Sequence, residues 1–294
     1  MSEILNELQE VKKASQEQTA ASQAQTAEVA GKMGEINQAL AAAQQQFDDF
    51  VSGDFDENVG NSRSIIVFID PLEGSDANNG LTQATAIKTS HRLHELAHKN
   101  YSSVSLHLRN GTVFNLEKFL FAKDVISINA YSGSDGSLDK PIFRQAAAFN
   151  AYVSAQEIKL ISCRAETYAA VSGEELPPVY SGRCMFGHAK LITGIYSEIV
   201  ITDNQLLHVH SGGSGDDLHR TSLSFFHTTL EAANSADNVT GTQKTVFSWY
   251  ATTPDYPLDL FGVNFSAVLN GHHATFRDFL SVPATHIITN LTLS

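Results

Sequence analysis

Four pairs of carboxylates stand close together in the chain: Asp135 with Asp139, Glu174 with Glu175, Glu198 with Asp203, and Asp216 with Asp217. Glycoside hydrolysis needs two acids roughly 5 to 10 Å apart across a sugar, one to protonate the leaving oxygen and one to act as base or nucleophile. Glu198, Asp203, Asp216 and Asp217 are the candidates for that catalytic role. Adjacent acids also suit solvated turns, and Pro177, Pro178 and nearby glycines favour a turn at Glu174-Glu175. His208 and His210, in "LHVHSGGSGDD", are two apart on an expected strand, so both imidazoles face one way and suit Zn, Ni or Fe. The alternative is the polar face of a surface strand. Trp249, Tyr250 and Tyr256, in "FSWYATTPDYPLDLF", can stack on the apolar face of a sugar, or else pack between elements or subunits.

Other reactive types offer less. Cys163 and Cys184 are the only cysteines, too few for a disulfide framework, and read as buried or inert. His91, His94 and His98 share one side of an expected short helix, and His272-His273 follows a turn. A Gly-x-Ser-x-Gly elbow, a Walker loop, a dinucleotide fingerprint and a His-Glu-x-x-His helix are all missing from the sequence, which favours binding over catalysis. With 32 acidic against 19 basic residues the net charge is -13, and no basic cluster offsets it, so nucleic acid is not an expected partner. No apolar run reaches the roughly 18 residues of a membrane span, and "MSEILNELQEVKK" has no signal core, so synthesis in a cytoplasm without membrane insertion is expected.

The elements that would position these residues fall into blocks. Residues 1–52 lack proline and are rich in Ala, Gln, Glu and Ser, which predicts helix. Ile4, Leu8, Val11, Val29, Met33, Ile36, Leu40, Phe47 and Phe50 recur in steps of three and four, the seam of a coiled coil, and the same register places Ser15, Gln18, Ser22 and Gln25 at its centre. Two successive steps of four, Gln25 to Val29 to Met33, form a stutter. A disordered Gln/Ala-rich linker is the alternative. Residues 53–64 form a polar, glycine-containing break.

From residue 65 the chain reads as short strands rich in Val, Ile, Leu and Phe between Gly, Asn, Asp and Ser turns, which predicts a mainly β stack, barrel or sandwich. At on the order of 20 to 30 residues per coil, a solenoid would have about eight to eleven coils. The β-helix is expected over 65–214, and the aromatic-rich stretch 215–294 is expected to pack differently, in a sandwich-like manner.

"IIVFIDPLEGSDANNGLTQATAIKTSHRLHELA" and the following "SVSLHLRNGTVF" resemble the module that opens the right-handed parallel β-helix of phage tail fibres and tailspikes. In that family a strand ending in Asp-Pro leads into a Gly-x-Asp-x-x-x-Gly-Leu-Thr loop, a Thr-containing link and a helix. The matching residues are Ile69, Asp70, Gly74, Asp76, Asn79, Gly80, Leu81, Thr82, Lys88, Thr89, Leu93, Leu96, Val104, Leu106, Leu108, Gly111 and Phe114. The motif also occurs in bacterial surface and carbohydrate-active β-helix proteins, and it spans residues 65–114 of the 294.

The resemblance implies a short right-handed β-helix behind a trimeric coiled coil, and a virion tail component made in the host bacterial cytoplasm. Its partners would be its own copies, other tail or fibre proteins and a host cell-surface glycan. A depolymerase that cleaves capsule or lipopolysaccharide, and a collar or connector fibre with no host ligand, are the alternatives in that family. His208 and His210 from three chains would complete an axial metal site, the one cofactor the likeness suggests. A helix over 87–98 would cover the open edge of the first coil. Gly74 and Gly80 would supply positive φ, with Asp76 and Asn79 closing Asx turns; calcium ligation by Asp70, Asp76 and Asn79 is the other use of those oxygens.

Overall fold

The structure is a computed structural model that describes residues 2–49, 64–97, 101–133, 135–171, 184–187, 189–209, 221–232, 247–249, 258–269, 271–279 and 287–291. The chain divides into two compact units, 1–58 and 59–294.

In the first unit, α1 (Ser2–Asp49) is one unbroken helix of 48 residues, about 70 Å long. Helix continues through the Ser/Gln centre, where a linker was the alternative. That centre consists of two heptads, "ASQEQTA" (14–20) and "ASQAQTA" (21–27), that differ at a single position. Their local bonding repeats as well: Thr19 Oγ1 donates to the Ser15 carbonyl and Thr26 Oγ1 to the Ser22 carbonyl, each at 2.8 Å. The seam residues Ile4, Leu8, Val11, Val29, Met33, Ile36 and Leu40 are 55% to 67% exposed on the single chain.

In the second unit the described strands form three sheets. The first stacks β1 (Ser64–Ile69), β2 (Ser103–Arg109), β5 (Val125–Tyr131), β8 (Glu157–Ile161), β11 (Leu191–Ile195), β14 (Thr221–Phe226), β17 (Leu258–Val263) and β20 (Ile287–Thr289) in that order. The second stacks β3 (Val113–Leu116), β6 (Ile142–Gln145), β9 (Arg164–Glu166), β12 (Glu198–Ile201), β15 (Thr229–Ala232), β18 (Ser266–Leu269) and β19 (His272–Ala274). The third stacks β4 (Leu120–Phe121), β7 (Val153–Ser154), β10 (Cys184–Gly187), β13 (Gln205–Val209) and β16 (Phe247–Trp249). Every neighbouring pair is parallel except β18 with β19. From β2 to β18 the chain visits first, second and third sheet in turn, a topology compatible with a parallel β-solenoid. Starts of successive first-sheet strands lie from 22 residues apart (103 to 125) to 39 apart (64 to 103).

Register turns sequence alternation into columns of like side chains. Val104, Ile126, Ile158, Ile192, Leu223 and Leu260 align rung by rung along the inner side of the first sheet, all fully buried. Burying each is worth about 1.5–3 kcal/mol. On the inner side of the second sheet Phe114 and Phe143 stack with centroids 5.9 Å apart. The described strands beyond residue 215 belong to the same three sheets, so the sandwich-like packing expected of the C-terminal stretch is not what forms. Leu223, Phe225, Leu230 and Leu260 carry the inner columns onward there, and continuing the stack buries them without a second core.

The bend from first to second sheet is the same at four places. Ser162, Tyr196, His227 and Asn264 follow β8, β11, β14 and β17 with φ of 54°, 51°, 49° and 52°. A left-handed residue costs on the order of 1–2 kcal/mol when it is not glycine. The parallel ladder offsets that cost by running through the bend: the amides of Ser162, Tyr196 and His227 donate to Ile195, Phe226 and Val263, each at 2.9 Å. Outside, the Tyr196 and His227 rings stack at 4.7 Å.

Candidate functional site

The loop between β1 and β2 is closed by its own acids. Asp70 Oδ1 accepts from the amides of Leu72 and Glu73, while Asp76 Oδ1 accepts from those of Lys88 and Thr89, all at 3.0 Å, and Asp76 Oδ2 takes the Thr89 hydroxyl at 2.6 Å. Burial pushes the Asp76 carboxyl up, but these donors and Arg92 outweigh it and hold the group below its ordinary range. Asn79 Oδ1 accepts from the Leu81 amide and the Thr85 hydroxyl. The three side chains weighed for calcium thus spend these oxygens on N–H and O–H donors. Gly80 has φ +72°, as anticipated, whereas Gly74 is required by crowding: a Cβ there would lie 2.5 Å from the carbonyl oxygens of Asp70 and Ile87.

The helix begins later than its sequence suggested. Ile87 forms a bridge with Ile69, Thr89 caps the helix by accepting from Arg92 N at 3.4 Å, and α2 spans Ser90–Ala97. It packs on β3 and β4, the first strands of the second and third sheets. Leu93 and Ala97 are buried there, and Ser90 Oγ accepts from the amides of Glu117 and Lys118. His94 Nδ1 lies 3.1 Å from the Phe119 carbonyl and His91 Nε2 3.1 Å from Lys118 Nζ, so both imidazoles fasten this helix. Above the loop, Arg109 Nη1 meets Asp70 at 2.7 Å and Glu73 at 2.8 Å, and Nη2 meets Asp135 at 3.1 Å. Burial first, then the Asp70 charge, pushes the Tyr131 hydroxyl up to about 12.

Of the catalytic candidates, Glu198 lies on the outer side of the second sheet among cations. Its Oε1 is 2.8 Å from Lys140 Nζ and its Oε2 3.4 Å from Arg164 Nη1. Burial alone would raise this carboxyl, and the two cations together hold it below the ordinary carboxylate range. The ladder continues through Arg164 Nε to Glu166 Oε1 at 2.7 Å and from Glu166 Oε2 to Arg144 Nε at 2.6 Å. Asp203 lies in the turn from β12 to β13, where Oδ2 accepts from the Ala170 amide at 2.7 Å. Asp216, Asp217, Glu174 and Glu175 lie outside the described residues.

His208 stands in β13 opposite Ser248, and His210 lies outside the described residues. Among the described residues no group of three or more His, Cys, Asp or Glu is placed to hold a metal. Trp249 ends β16 opposite Val209, while Tyr250 and Tyr256 lie outside the described residues. Of the seam, Phe50 and the side chain of Phe47 lie outside them too. Cys163 is fully buried with Sγ 3.5 Å from the Ile128 carbonyl, and burial pushes its thiol up to about 12; Cys184 is buried as well. No described helix is long and apolar enough to cross a membrane.

Two groups of residues escaped the sequence reading. Arg144, Arg164 and Glu166 meet only through strand register, although the alternation Arg164-x-Glu166 was a visible sign of a shared outer face. Gln145 carries no motif. It is fully buried, donates through Nε2 to the carbonyls of Ala151 at 2.8 Å and Cys184 at 3.2 Å, and accepts at Oε1 from Tyr168 N and Asn204 Nδ2, each at 3.1 Å. One amide thereby ties several successive turns together. No protein-family model, curated protein or solved structure matches the chain.

Proposed function

We propose that the chain is a structural, receptor-binding component of a phage tail fibre. Three copies join through α1, which fixes them to the virion and to one another, and the β units face a host surface or a further fibre protein. In this proposal the second unit is a right-handed parallel β-helix, the hand expected of parallel crossovers. The observation that carries the proposal is the stripe of Ile4, Leu8, Val11, Val29, Met33, Ile36 and Leu40, each more than half exposed on a helix whose other long side chains, Leu5 and Phe47 apart, are polar. A helix of this kind gains little from propensity alone and is stabilised by burying its stripe against copies of itself. Three joined copies also convert a weak surface contact into firm attachment through avidity.

The state of Glu198 speaks against its serving as the general acid of glycan cleavage. A general acid has to be protonated near neutral pH, whereas Lys140 and Arg164 keep Glu198 ionised. The test is the mass of the intact chain in solution by light scattering, beside an Ile36→Asp/Leu40→Asp variant. The expected mass is three times 31.9 kDa for the native chain, falling to a single chain for the variant. A native monomer at micromolar concentration would overturn the fibre proposal.

A further inference from the structure

We propose that the outward side of the second sheet, at Arg144 and Arg164, binds the carboxylate of an acidic saccharide. This rests on the host-surface half of the proposed function and names the class of glycan it would meet. The two arginines stand on neighbouring rungs: Arg144 of β6 is in register with Glu166 of β9, and Ile142 with Arg164. Glu166 is only 9% exposed and holds both guanidinium groups by the Nε edge, one on each carboxylate oxygen. A carboxylate that served only to tie strands would be best met by the two-bond fork of one arginine. Here the forks are left over. Arg144 Nη1 and Nη2 and Arg164 Nη2 donate to no acceptor among the described residues, and Arg164 Nη1 reaches Glu198 only at 3.4 Å. The side chains are 42% and 33% exposed, so solvent reaches them.

The surroundings set the ligand class. Lys140, Arg144 and Arg164 against Glu166 and Glu198 leave one net positive charge in a chain of net -13. One such charge suits a single carboxylate and is too little for a polyphosphate backbone. A guanidinium fork matches a planar carboxylate, and here it is already oriented. In register beside it lie Asn115, next to Arg144, and the half-buried Val113 and Ile142. An amide and a small apolar floor suit the hydroxyls and the apolar ring face of a sugar. Glu231, two rungs from Glu166 in the same column, confines the site to the β3–β6–β9 end.

The test is saturation-transfer NMR on the intact chain with sodium glucuronate, glucose and acetate. Transfer to glucuronate but not glucose is expected, with acetate competing poorly. Arg144→Gln is expected to weaken glucuronate binding about tenfold or more, as for loss of a charge-assisted pair. Asn115→Asp, which leaves the ladder intact and sets a negative charge beside Arg144, is expected to do at least as much, while Glu231→Gln keeps or tightens binding. No transfer to glucuronate at about 20 mM, far above a millimolar Kd, would overturn the proposal, as would equal transfer to glucose or native binding by both Arg144→Gln and Asn115→Asp. Acetate competing as well as glucuronate would mark a bare carboxylate site and overturn the saccharide assignment. The mass of the same sample separates the two proposals: a monomer that binds glucuronate overturns the fibre alone, and a trimer that does not overturns this site alone.

Discussion

Gln145→Leu removes the amide that four groups share while filling nearly the same volume. The fully buried side chain donates to the carbonyls of Ala151 and Cys184 and accepts from Tyr168 N and Asn204 Nδ2. Each lost hydrogen bond costs roughly 1 kcal/mol net, and more where a group is left buried without a replacement. Four together come to about 4 kcal/mol, and the apolar side chain returns about 1 kcal/mol. A net loss of about 3 kcal/mol is therefore expected, a sizeable part of the roughly 5–15 kcal/mol that stabilises a typical domain. Urea unfolding followed by circular dichroism measures it as a lower midpoint, and hydrogen exchange is expected to show the Tyr168 amide opening faster. Gln145→Glu adds a check of sign. A buried carboxylate facing two carbonyl oxygens has its pKa raised, so its favourable contribution is complete below the unfolded value of about 4.3 and is lost as pH rises through the folded value. That variant should stand closer to the native protein at pH 4 than at pH 7. A Gln145→Leu loss under about 0.5 kcal/mol would refute the assignment of Gln145 as the tie between turns.

His227→Val puts a β-branched residue, for which positive φ is a genuine outlier, at φ 49° and is expected to cost about 1 kcal/mol more than the native histidine in urea unfolding, with His227→Gly closer to native. Gly74→Ala, with its Cβ 2.5 Å from two carbonyl oxygens, should lose more than the roughly 1 kcal/mol of an ordinary strained substitution, measured the same way. Glu198 and Asp76 both have depressed folded pKa values, so the stability they contribute is complete above their unfolded values, about 4.3 and 3.9, and is lost as pH falls through the folded ones. Urea midpoints from pH 5 to pH 3 should show that loss, reduced in Glu198→Gln. Cys163, with its thiol pushed up to about 12, should resist a thiol reagent at pH 8 until urea unfolds the chain.

Much of the fold was legible because its periods are strong. Steps of three and four announced α1, a run of Ile, Val and Phe announced β1, and alternation announced β2, β5 and β8, where inward Ile, Leu and Val face outward Ser, Asn, His or Lys. The loop of Asp70, Asp76 and Gly80 was legible because each closes a local turn within about 20 residues. Beyond the strand that holds His208, the third sheet was not. Its first strands, β4 and β7, have two residues each, and β10 is buried on both sides, so no alternation marks them. The bends stayed hidden because Tyr196 and His227 occupy positions where glycine or asparagine would have signalled a left-handed residue. The arginine pair and Gln145 owe their neighbours to register across 22 or more residues, which one sequence does not specify.

The paired heptads at the centre of α1 bear on how such a protein can change. Because Ala14–Ala20 and Ala21–Ala27 are nearly interchangeable, duplicating or deleting one keeps Ile4, Leu8 and Val11 in phase with Ile36 and Leu40. The length of α1 can then be adjusted in whole increments of about 10 Å, by gain or loss of one seven-residue stretch, with the spacing of the flanking apolar residues preserved.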